Sequence, residues 1–127
     1  MSWKIKYNED THIIEITYSG NVTGLDLKEA ALKRIAIQEE TGATMVLADA
    51  SQSEGAPTTM DLFDLPDKIY QDHKARRDTR IAFILPDGKE SKELAHFFKT
   101  AAKNRGWHIE LFEDRDSAFS WLIADID

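Results

Sequence analysis

"LADASQSEGAPTTM", Leu47–Met60, opens as an apolar strand and closes as the first turn of a helix. Ser51, Ser53, Gly55 and Pro57 stand between the two halves and interrupt both patterns. A buried strand that passes through such a link into a helix is the repeating unit of an α/β fold. The stretch therefore poses both the fold question and the functional one, namely what a strand-to-helix loop of this kind holds.

The segments on either side continue the alternation. Upstream, "TMVLAD" is a short apolar run without alternation, the pattern of a strand covered on both faces. Before it, "TGLDLKEAALKRIAIQEETG" reads as a helix with Thr23 as N-cap, Asp26 at the third helical position and Gly42 after the end. Downstream, "TMDLFDLPDKIYQDHK" has a helical period that Pro66 kinks or restarts. "RIAFIL" is a second buried strand, closed by the turn "PDG". "SKELAHFFKTAAKNRG" sets Leu94, Phe97, Phe98, Ala101 and Arg105 on one helical stripe and stops at Gly106. "WHIELF" is the last strand, and "DRDSAFSWLIAD" a final helix with Ala118, Trp121 and Leu122 inward. Trp121 and Leu122 are expected against that strand, with Phe97 and Phe98 in the same layer.

The amino-terminal part differs. "WKIKY" and "HIIEITY" alternate with period two, and only "NEDT" separates them, as in a β-hairpin. Lys4 and Lys6 suit an exposed edge strand. The order is thus ββαβαβαβα: a hairpin leading into βα units, in a mixed, mostly parallel five-stranded sheet with right-handed crossovers. The 127 residues are the length of one domain, and residues 1–127 read as a single one.

Composition excludes several kinds of function. Sixteen basic against 23 acidic residues give a formal charge of −7, unfavourable for nucleic acid or anionic lipid surfaces. Absence of cysteine removes disulfides, thiol catalysis and cysteine-ligated zinc. The first residues form no signal peptide and no apolar run is long enough to span a bilayer, so a soluble cytoplasmic chain is expected.

Motif chemistry is sparse. No Walker loop and no G-x-G-x-x-G occurs; free N–H groups near Thr58 and Thr59 offer an anion site, or Thr58 merely caps a helix with Asp61 completing a capping box. As a calcium loop the stretch begins well with Asp49, Ser51 and Ser53, then fails at Glu54 and Met60. His12, His73, His96 and His108 fall on different elements without ligand spacing, and Asp61, Asp64 and Asp67 suit a helix start. No nucleophile elbow is present. Asp49 ends a central strand, where functional groups of open α/β sheets gather, or accepts hydrogen bonds from its own loop in an Asx-type turn. "HKARRDTR", His73–Arg80, is a basic run suited to an acidic partner or to a solvated helix end. No metal or cofactor is expected.

Several segments together, "VLADAS…PTTMDLFDLP", "RIAFILP", "FFKTAAKNRGW" and "LFEDRDSAFSWL", resemble the bacterial SpoIIAA-like family of STAS-related domains. The most specific part is the ending from Asn104 to Leu122. The resemblance implies a (βα) superhelix with strands in sequence order, helices mainly on one face, and no enzyme activity. Domains of the anti-sigma-factor antagonist type bind a partner kinase and are switched at a serine beginning the helix after the third strand. Here Ser53 to Thr59 occupies that region without the Asp-Ser-Ser/Thr-Gly signature, and Thr58 and Thr59 lie nearest the switch position. Asp49, Ser51, Ser53, Thr58 and Thr59 are therefore the candidate partner- or anion-binding loop. The family is also similar in fold to CRAL-TRIO lipid-binding domains. That likeness implies an alternative, a small apolar ligand between sheet and helices, lined by Phe63, Leu65, Ile69 and Phe83. A protein partner is the first expectation, and self-assembly is left open.

Overall fold

The computed structural model describes residues 3–54, 78–86, 88–104 and 106–124. Five strands and three helices occur among them: β1 (Trp3–Asn8), β2 (Ile13–Asn21), α1 (Gly24–Thr41), β3 (Met45–Glu54), β4 (Arg80–Ile84), α2 (Lys89–Asn104), β5 (His108–Phe112) and α3 (Arg115–Ile123). The sheet runs in sequence order, β1-β2-β3-β4-β5. Only β1 is antiparallel to its neighbour; the other three pairings are parallel. This is the mixed, mostly parallel α/β sheet expected from the ββαβαβαβα pattern. The helix expected between β3 and β4, over Thr59–Lys74, lies outside the described residues.

Alternation along the strands makes two cores. Ile14, Ile16, Val46, Ala48, Ile81 and Ile109 face one side, where Ala30, Ala31 and Ile35 of α1 and Phe98 and Ala102 of α2 cover them. Ile13, Leu47, Ala82 and Ile84 face the other side and are covered by Ala118 and Leu122 of α3. Two of the three described helices thus share a face. Val46, Leu47 and Ala48 are all buried, because β3 is central and has a helix on each side.

Local chemistry sets the element ends. Thr23 and Asp26 form a full capping box: the Asp26 N–H donates to Thr23 Oγ1 at 3.2 Å and the Thr23 N–H to Asp26 Oδ2 at 2.9 Å. Gly42 ends α1 at φ 76°, and its N–H donates to the Gln38 carbonyl. Asp114 caps α3 by accepting from the Ser117 N–H at 2.7 Å and hydroxyl at 3.0 Å. In the hairpin, Asn8 Oδ1 accepts from Asp10 and Thr11.

Two packing expectations are corrected. Phe98 is buried and belongs to the α1–α2 side, opposite the layer of Trp121 and Leu122. Phe97 is 40% exposed, since α2 meets the sheet with Ala95, Phe98, Ala101 and Ala102 and leaves the next position outward. Leu122 is fully buried, but over β3 and β4 more than over β5; Trp121 is half-buried at the side, its ring 5.8 Å from Phe112. Arg105, placed on the same stripe, is outside the described residues.

Candidate functional site

The parallel strands point their carboxyl ends toward one edge, the region where open α/β sheets bind their ligands. β3 is the longest of the described strands, and its pairing with β4 stops at Asp49 opposite Ile84. It continues beside β2 alone, with Ser19, Gly20 and Asn21 opposite Gln52, Ser53 and Glu54. Ser51 and Ser53 therefore belong to a strand rather than to the loop in which the sequence placed them. Turn-forming residues entered the strand because β2 runs equally far and supplies backbone partners.

A β-bulge joins the two parts of β3. One residue of β2, Tyr18, faces two of β3, Ala50 and Ser51, between the pairs Thr17–Asp49 and Ser19–Gln52. Side chains pin it. Asp49 Oδ1 accepts from the Ser51 N–H at 2.9 Å and from the Ser51 hydroxyl at 2.7 Å, and the Ser53 hydroxyl donates to the Ala50 carbonyl at 2.7 Å. Asp49 thus makes the Asx-type contact with its own chain. Both serine hydroxyls spend their protons locally, and no described histidine joins them. The same end carries the start of α1, where Leu25 is 64% exposed. The cluster brings Asp49, Ser51 and Ser53 together; Thr58 and Thr59 lie outside the described residues.

Of the apolar set, Phe83 is half-buried on the α1–α2 side, and Phe63, Leu65 and Ile69 lie outside the described residues. An open cleft of about 330 Å³ sits elsewhere, at the start of β5, lined by Lys103, Trp107, Glu110 and Trp121 among others. His96 and His108 are exposed, and His12 Nδ1 is 2.9 Å from the Tyr7 hydroxyl. Among the described residues no three His, Cys, Asp or Glu side chains are grouped as metal ligands, and no helix is long and apolar enough to cross a membrane.

Two features escaped the sequence reading. Arg34, Gln38 and Thr79 are buried polar residues. Arg34 Nη1 donates to Gln38 Oε1 at 3.1 Å, and Gln38 Nε2 donates to the Thr79 hydroxyl at 2.8 Å and the Ala43 carbonyl at 3.0 Å. The signal was available, since positions 34 and 38 continue the stripe of Ala30, Ala31 and Ile35. The other is Arg80, the end of the basic run. It donates to the Trp121 and Ala124 carbonyls, closing the carboxyl end of α3, and its guanidinium lies 4.8 Å from the centre of the Trp121 ring. Arg80 is structural, not a docking cation or a solvated helix end.

The matching family model is SpoIIAA-like, over residues 13–123, from the start of β2 to the end of α3. The chain belongs to the SpoIIAA-like family. Among solved structures, an uncharacterised DUF3478-family protein with a SpoIIAA-like fold, from Shewanella loihica PV-4, is similar in fold. It is 20% identical, with a TM-score of 0.57, and the match covers 94% of this chain and 91% of that one. None of the curated proteins matches. As a SpoIIAA-like, STAS-type domain the chain has the sheet order and the two-sided helical cover already described.

Proposed function

We propose that this SpoIIAA-like domain is a non-enzymatic, cytoplasmic regulatory module that binds a protein partner through the end of β3 and the segment after it. The observation that carries the reading is the projection of β3 past β4. Among the described residues, the five of β3 beyond Asp49 have a strand neighbour on the β2 side alone, and a bulge pinned by side chains joins them to the rest of the strand. Bulges of this kind commonly re-aim a strand beside a binding site. Membership of the family supports a STAS-type interaction role. The hydroxyl and carboxylate groups of Asp49, Ser51 and Ser53 are engaged in holding backbone, which suits recognition better than bond-breaking.

The test places charge in the segment. Thr58→Glu and Thr59→Glu should weaken recovery of a partner from host extract by about tenfold or more, as a carboxylate introduced among contacts is repelled or must be desolvated. Melting temperature should be unchanged or slightly raised. Unchanged recovery in both variants would remove this segment from the interface. If native mass spectrometry of the purified domain instead shows one bound apolar compound, ligand carriage replaces partner binding as the leading function.

A further inference from the structure

Among the described residues, β5 closes the sheet and pairs only with β4. The Phe112 carbonyl accepts from the Leu85 N–H at 2.8 Å, so the main chain of Phe112 faces inward. By the two-residue alternation, the main-chain groups of Ile109 and Leu111 face the open edge. A strand reading His-Ile-Glu-Leu-Phe with such an edge is a template for further pairing.

That edge is covered. The Glu110 carboxylate is hydrogen-bonded to Lys99, and Lys103 Nζ lies 3.6 Å away. Lys99 and Lys103 stand one turn apart on α2, which packs on the face of the sheet bearing Ile109. Glu110 is rooted on the opposite face, in the row of Ala82 and Leu47. The lysines and the carboxylate therefore meet around the edge, each coming from its own side.

We propose that Lys99, Glu110 and Lys103 form a guard that keeps the open β5 edge from pairing with a second copy of this chain. A second copy is the competitor the register favours. An antiparallel pair centred on Glu110 sets Ile109 against Leu111 and His108 against Phe112, with good cross-strand partners at each place. The same pairing opposes the two Glu110 carboxylates and displaces four lysines, so the guard acts by charge as well as by standing across the edge.

The experiment compares the unaltered domain with Glu110→Thr and with the double variant Lys99→Ala, Lys103→Ala, by sedimentation over a wide range of concentration. Both variants should form a species of twice the mass of the unaltered protein at concentrations where the latter does not. Adding Leu111→Pro, which deletes an outward N–H and costs no ladder bond to β4, should reverse the association. Folded variants that sediment like the unaltered protein overturn the proposal, as does association that Leu111→Pro leaves intact.

Discussion

Glu110 shows how one side chain ties pH to folding. Burial by itself would raise its pKa, but the Lys99 hydrogen bond and the charges of Lys99 and Lys103 outweigh it and hold the carboxyl below its ordinary range. A depressed carboxyl stabilises the fold above its unfolded pKa of about 4.3, and that contribution disappears as pH falls through the lower folded value. Glu110→Gln should therefore flatten the loss of stability below about pH 4.3 in urea titrations while leaving the pH dependence between 6 and 8 unchanged. Asp114 is held low as well, by the N–H and hydroxyl of Ser117, and contributes with the same sign. The α1 cap gives a plainer case. Thr23→Ala removes the capping box and should cost about 0.5–2 kcal/mol by chemical denaturation, whereas Thr23→Ser should recover most of it. Within the core, Gln38→Leu leaves the Thr79 hydroxyl and the Ala43 carbonyl without their donor. A loss of about 1–3 kcal/mol is expected, despite the greater hydrophobicity of leucine.

At the scale of elements, the two faces of the sheet can be told apart by mutation. Phe98→Ala should cost about 3–5 kcal/mol, because the ring fills the layer between α2 and the sheet. Phe97→Ser, one position along and 40% exposed, should stay within about 0.5 kcal/mol of the parent. If the two cost the same in urea denaturation, the orientation of α2 is wrong. The sequence showed where these helices lie, but not which of two adjacent phenylalanines faces inward. The moment of "ELAHFF" can turn by one position at little cost, and the small Ala95, Ala101 and Ala102 that let α2 approach the sheet decide the matter. The extent of β3 was illegible for a different reason. Ser51, Gln52 and Ser53 have poor strand propensity, and it is the far end of β2 beside them that recruits them. Caps were readable because their partners lie three or four residues away; Arg80 was not, since the carbonyls it closes are more than forty positions distant.

The whole molecule follows from handedness. Strands laid down in sequence order and joined by right-handed crossovers must put their connecting helices on one face, as α1 and α2 are. The helix after β5 connects no further strand and escapes that rule, so α3 is free to cover Ile13, Leu47, Ala82 and Ile84 on the other face. The centre of the sheet is thus closed on both sides, and the β2–β3 extension is the part of β3 without β4 beside it. Native-state exchange should report this difference. Amides of Val46 and Leu47 should open only with global unfolding, whereas those of Gly20, Asn21 and Ser53 should exchange through local opening, orders of magnitude faster. Uniform protection along β3 would show that the extension is as firmly held as the centre, and would remove the physical basis for treating it as a recognition element. If the gradient is present, a partner that docks there must raise protection at Gly20, Asn21 and Ser53 by more than at Val46. Binding that protected only the centre would be acting through global stability, and not through contact at the carboxyl end of the sheet.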